Sequence, residues 1–83
     1  MKISLKTSSS LAKYLPAGSV GNKAELEVEE GATPQGVMRQ LGLPEGATYL
    51  VVLNGENVPK ADQVARQLAD NDALAIMPPL KGG

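Results

Sequence analysis

The chain opens with a strict alternation. In the run KISLK, Ile3 and Leu5 fall on one side and Lys2, Ser4 and Lys6 on the other, which is the period of a strand with one buried face. The run AELEVEE repeats the pattern, with Ala24, Leu26 and Val28 inward and Glu25, Glu27 and Glu29 outward. Together they predict a hairpin. The residues between them, TSSSLAKYLPAGSVGN, make a connection that is long for a hairpin loop. Within it, Ser10 is placed to cap one helical turn through LAKYL. Leu11, Tyr14 and Leu15 share a face there, and Pro16 and Gly18 end the turn.

The period then changes. In GATPQGVMRQLGLP, Val37, Met38 and Leu41 recur at helical spacing. Thr33 suits the N-cap and Pro34 the first helical position. Gly42 suits the left-handed residue after the last turn, and Pro44 blocks continuation. TYLVVLNG is a continuous apolar run ending in Asn54-Gly55, which predicts a strand buried on both faces and closed by a tight turn. ENVP suits a short returning strand. In KADQVARQLADND, Val64 and Leu68 stand at helical spacing, so a turn or two of helix is expected. DNDALAIM reads as a turn and a last strand, with Leu74 and Ile76 on one face, and Pro78-Pro79 halts its pairing.

The order is strand, strand, helix, strand, short strand or helix, strand. A mixed sheet of four to five strands with one main helix on one face is an α+β, two-layer β-grasp arrangement. The expected organisation is a domain over residues 1–78 and a flexible C-terminal Gly-Gly tail over 79–83.

Composition narrows the function more than the fold. The 83 residues include two aromatics, Tyr14 and Tyr49, so the core must be aliphatic. Eight basic against nine acidic residues give a net charge of −1, unlike the clustered positive field that nucleic acid requires. No apolar run is long enough to span a membrane, and the amino terminus lacks the apolar core of a signal peptide. A cytoplasmic protein with neither nucleic acid nor membrane as partner is expected. The chain has no cysteine and no histidine. That removes thiolate nucleophiles, Ser-His and Cys-His catalysis, and nearly every zinc or iron–sulfur site. A stand-alone enzyme would have to run on carboxylates, Lys, Tyr or Ser.

Few candidate groups remain. Asp70 and Asp72 flank Asn71 and read as a turn, with a cation-binding pair as the sharper alternative. The ligands that would complete a calcium loop are absent. Glu25, Glu27, Glu29 and Glu30 form an acidic stripe, read as a solvated strand face or, alternatively, as a surface for a basic partner. Ser8, Ser9 and Ser10 have no base to activate them. The ending IMPPLKGG is different. Pro78 and Pro79 steer an extended course off the sheet. The stretch Pro79 to Gly83 reaches roughly 17 Å. Gly82 and Gly83 carry no side chain and can thread a narrow channel. The carboxylate of Gly83 is then the candidate functional group, with a frayed end of an interaction domain whose tail is idle as the plain alternative. Ionised at neutral pH, it resists nucleophiles and must be activated, most simply by transfer of AMP from ATP, which another protein has to perform.

VVLNGENVP and QLADNDALAIMPPLKGG resemble the MoaD/ThiS family of ubiquitin-like sulfur carriers. EGATPQGVMRQLGLP resembles the family's helix region, and LAKYLPAG the early segment of MoaD-type members. The resemblance covers nearly the whole chain. Where the family usually has Gly between the two aspartates, this chain has Asn71. The resemblance implies a carrier rather than an enzyme, with no bound cofactor and no metal. A ubiquitin-activating-enzyme-like adenylyltransferase of MoeB/ThiF type would adenylate Gly83 with ATP. A persulfide donor would then leave a C-terminal thiocarboxylate. Pro79, Leu80, Lys81 and Gly82 would thread the partner's active site, and Met77 and Pro78 would contact the partner. In the MoaD branch, favoured by the long first loop and by PP before LKGG, sulfur passes to molybdopterin through a MoaE-type large subunit of molybdopterin synthase. In the ThiS branch, towards which NGENVPKADQ leans, it passes to a thiazole synthase for thiamine. LKGG is also similar to the ubiquitin tail, which implies a modifier joined to lysines as a further alternative.

Overall fold

A computed structural model describes residues 1–44 and 48–78. Among the described residues, five strands form one sheet: β1 (Lys2–Thr7), β2 (Lys23–Glu27), β3 (Leu50–Leu53), β4 (Glu56–Asn57) and β5 (Ala73–Met77), in the order β2-β1-β5-β3-β4. The first two strands pair antiparallel as a hairpin, with Ile3 opposite Leu26 and Leu5 opposite Ala24. The last strand enters between the first and the third. It runs parallel to β1, with Thr7 opposite Ile76, and antiparallel to β3, with Val51 opposite Ile76. This is the mixed β-grasp sheet that the element order predicts.

Helix α1 (Pro34–Leu41) forms where expected. The Thr33 Oγ1 accepts the Gly36 N–H at 3.2 Å, Pro34 opens the helix, and Gly42 ends it at φ 81°. A residue without Cβ adopts that left-handed cap at no steric cost. The helix buries Val37 and Met38 against one face of the sheet, where Ile3, Leu5, Val51, Leu53, Leu74 and Ile76 are each 1% exposed or less. Tyr49 joins this core. Its hydroxyl donates to the Pro44 carbonyl at 3.0 Å, and burial, with a smaller contribution from Tyr14, holds its pKa above the usual phenol value.

Three local expectations are corrected. Ser10 does not cap the first-loop helix. A 3₁₀ turn spans Ser9–Tyr14, its N-cap is Ser8, and the Ser10 hydroxyl meets the Ser8 hydroxyl at 2.9 Å. Leu11 is nevertheless buried, and Tyr14 and Leu15 pack on the core. Strand β3 is buried on one face only. Val51 and Leu53 are inside, but Leu50 is 42% exposed, because helices cover a single side of the sheet. Val64 and Leu68 do not share a helical face. Helix α2 is one turn (Lys60–Gln63), Val64 is exposed, and Leu68 is buried in the irregular segment that follows. The Leu68 N–H donates to the Ala32 carbonyl at 2.8 Å, which fixes that segment beside the entry to α1. The residue that α2 buries is Gln63. Its amide donates to the Val58 carbonyl at 3.0 Å and reaches the Tyr49 carbonyl at 3.5 Å, so its polar group is satisfied.

The Asp70-Asn71-Asp72 segment is a turn, as its residue types suggest, and it joins three strands. The Asp72 carboxylate accepts from the Ala69 N–H at 2.7 Å and from the Asn54 amide at 2.9 Å. The Asn54 side-chain oxygen in turn accepts the Ala73 N–H at 2.8 Å, while the Asn54 N–H donates to the Ala73 carbonyl. The β3–β5 ladder thus gains one more rung from a side chain. Asp70 accepts the Lys2 N–H, Asn71 donates to the Lys2 carbonyl, and Ser4 donates to the Asp72 carbonyl. Asn71 (φ 70°) and the pair Asn54-Gly55 (φ 50° and 86°) occupy left-handed backbone, which Asn and Gly tolerate best. Replacing Asp72 by Ala strips both acceptors from this junction. We expect a loss of about 1–3 kcal/mol in urea unfolding, the usual scale for bonds to a charged group. Glu30→Ala, on an exposed position, is expected to stay within about 0.5 kcal/mol.

Candidate functional site at the end of the central strand

Strand β5 alternates Leu74 and Ile76 inward with Ala73, Ala75 and Met77 outward. Its last pair is Met77 opposite Leu50. Pro78 follows and has no N–H to extend the ladder. The strand therefore stops in the middle of the sheet, about 13 Å along its axis from the Ala73 end that the Asp72 turn secures. Met77 and Pro78 are both half-buried at this exit. The sequence-derived site residues Pro79, Leu80, Lys81, Gly82 and Gly83 lie outside the described residues, as do residues 45–47.

The face turned away from α1 completes the setting. Leu50 and Val52 of β3 sit beside Met77, Ala75 and Ala73 of β5 and form an apolar stripe. On its other side lie Lys2, Ser4 and Lys6 of β1, then Lys23, Glu25 and Glu27 of β2. The first loop rises at this edge, with Ala17, Gly18 and Val20 bordering a groove of about 670 Å³. Val20 is 81% exposed. The reading of TYLVVLNG as buried on both faces missed Leu50 and Val52 as surface residues. The signal that finds them is the neighbouring β5, whose outward positions Ala73 and Ala75 are small where a doubly covered strand would carry bulk. The acidic stripe Glu25, Glu27, Glu29 and Glu30 is solvent-exposed, and Glu27 pairs with the terminal amine of Met1 at 3.1 Å.

The model of the ThiS family matches residues 16–83, which includes the groove wall, the central strand and the tail. The chain belongs to the ThiS family. No curated protein matches it. Among solved structures, the chain is similar to the HVO 2177 protein of Haloferax volcanii, at 25% identity and TM-score 0.78, covering 100% of this chain and 87% of that one. It is similar to SAMP1 from the same organism, at 23% identity and TM-score 0.69, with both chains fully covered. It also shares its fold with a protein in a complex of subunits 1 and 2 of the molybdopterin-converting factor from Helicobacter pylori, at 15% identity and TM-score 0.58, again over both full lengths.

For this ThiS-family chain, the two faces of β3 and β5 differ. One packs into the core, and the other carries the exposed Leu50 and the half-buried Met77. Truncating Leu53 to Ala should cost about 2–5 kcal/mol through the cavity it leaves. The exposed neighbour Leu50 faces the other way, and Leu50→Ser should change unfolding free energy by less than about 1 kcal/mol. Chemical denaturation of the two variants measures the difference. Equal losses would mean that the open face is part of the core.

Proposed function

We propose that this chain is a carrier protein whose reactive group is the carboxylate of Gly83, activated and loaded by partner proteins. The observation that carries the reading is the exit of β5. The family match runs through residue 83, and the central strand, held on both sides, ends at Met77-Pro78 with PLKGG still to come. A tail leaving the sheet centre beside an apolar face suits a body that docks outside a partner while the tail enters its active site.

The chemistry follows from the group. One carboxylate oxygen attacks the α-phosphorus of ATP on an adenylyltransferase and expels pyrophosphate. The resulting acyl adenylate is open to nucleophiles because AMP is a good leaving group. A persulfide sulfur attacks the carbonyl carbon and AMP departs. A thiol then breaks the acyl disulfide, forming a new disulfide and leaving the thiocarboxylate. The chain has no cysteine, so persulfide and thiol both belong to partners. The thiocarboxylate gives its sulfur to an acceptor. We place this chain in molybdopterin synthesis, with a MoaE-type large subunit as acceptor. The long first loop supports this branch, and the fold shared with the H. pylori converting-factor protein, itself seen in a two-subunit complex, is consistent with it. A thiazole synthase is the acceptor in the alternative ThiS branch. If a lysine amine attacks the adenylate instead, the product is an isopeptide, the modifier reading that the LKGG ending supports.

Intact-mass measurement after incubation with ATP, a sulfur donor and candidate adenylyltransferases tests the proposal. A product heavier by the difference between one sulfur and one oxygen atom is expected. Deleting Gly83, or adding one residue after it, should abolish loading and leave the unfolding midpoint unchanged. An extended protein that still supports cofactor synthesis would sink the carrier reading. Isopeptide adducts of Gly83 without a thiocarboxylate would favour the modifier.

A further inference from the structure

The groove on the open face carries an unusual pairing. Lys6 and Lys23 stand directly opposite each other in the β1–β2 ladder, both on the solvent side, and both line the groove. Facing positions place Cβ atoms about 4.5–5.5 Å apart, and like charges there disfavour the pairing. Among the described residues neither ammonium group has an ion pair or a hydrogen bond. Glu25, also on the lining, sits opposite Ser4 and forms no ion pair with either lysine. The lining therefore carries a net positive charge beside apolar ground. Ala73 and Ala75 form a low floor, Val52 one wall, and the Ala17–Val20 loop the other.

We propose that this groove receives an acidic, apolar segment of the partner protein that works on the tail. A carboxylate placed between Lys6 and Lys23 relieves their mutual repulsion, and flanking aliphatic side chains cover Val52, Ala73 and Ala75. The position supports that occupant. The same apolar stripe continues through Ala75 to Met77 and Leu50 at the strand exit, so a protein holding the tail is already next to the groove. Neither a basic partner nor a nucleic acid satisfies both halves of the surface, since one repels the lysines and the other offers no aliphatic cover. The inference deepens the carrier reading, but its test does not use the tail chemistry.

The test is a titration of the ¹⁵N-labelled full chain at low salt. The probe is the blocked peptide acetyl-Leu-Asp-Val-Glu-Leu-amide, and its neutral counterpart, acetyl-Leu-Asn-Val-Gln-Leu-amide, is the control. We expect saturable shifts confined to the amides of Ser4, Lys6, Lys23, Ala24, Val52, Ala73 and Ala75, with clearly weaker binding of the neutral peptide. Replacing both lysines by Glu should weaken acidic-peptide binding by about tenfold, the combined effect expected of two exposed charge contacts. The Lys6→Gln/Lys23→Gln variant, which removes the charge pair without reversing it, should give an intermediate value and an unchanged spectrum elsewhere. Equal binding of the two peptides, or shifts outside the groove, would overturn the proposal. So would concentration-dependent groove shifts without peptide, which would give the groove to a second copy. Contacts from Leu80 methyls to Val52 or Ala75 in the free chain would give it to the chain's own tail and equally reject a partner segment. If no adenylyltransferase loads Gly83 while the acidic peptide binds, the carrier reading fails and the groove's preference for an acidic, apolar segment stands.

Discussion

The structure depends on β5 being inserted between β1 and β3. Parallel strands cannot be joined by a tight turn, and here the two that run parallel are the first and the last of the chain. Leu74 and Ile76 of the last strand pair there with Leu5 and Thr7 of the first and with Val51 and Leu53 of the third. The sequence-distant pairing also sets the direction of the exit. Because β5 is central, the chain leaves from the middle of the sheet, and the face on either side of that point is a continuous surface rather than an edge.

The Asp72 turn makes that insertion definite in register. A one-residue slip of β5 would exchange Leu74 and Ile76 for Ala73 and Ala75 in the core. The bonds from Asn54 to both backbone groups of Ala73, and from the 70–72 turn to Lys2 and Ser4, fix the strand at its first residue. The motif that resembles the family most, Asn-Gly followed by Leu-x-Asp-x-Asp, is thus structural. It lies at the opposite end of β5 from the tail, and its carboxylates accept hydrogen bonds from backbone N–H groups and from the Asn54 amide. The cation-pair alternative for Asp70 and Asp72 has no part in that arrangement.

A single helix layer has a second consequence. With α1 on one side only, the sheet's other face keeps apolar side chains in contact with solvent, as Leu50 shows, and the first loop adds the exposed Val20 beside it. A single exposed aliphatic residue is ordinary for a protein surface. Here several are contiguous, lie beside the end of β5 at Met77, and are bordered by two opposed lysines. The same asymmetry that makes a small two-layer fold possible leaves apolar ground on the open face.

The local periods were legible in the chain. Alternation in KISLK and AELEVEE, the caps Thr33 and Gly42, and the Asn54-Gly55 turn are short-range effects of sterics and hydrogen bonding, and each appears where its residues require. The ending PPLKGG drew attention to the C-terminus because its residue types differ from those of the packed elements, and residues 79–83 lie outside the described structure. What the sequence could not decide was which apolar residues face the core. VVL reads the same whether one face or two is covered, and Val64 and Leu68 have helical spacing whether or not the helix persists. Those outcomes depend on contacts between residues far apart in sequence: β3 on β5, Leu68 on Ala32, Lys6 on Lys23. Local pattern sets which elements form. Only tertiary pairing, through burial of one face and the register of β5, decided which side chains became core and which were left on the surface.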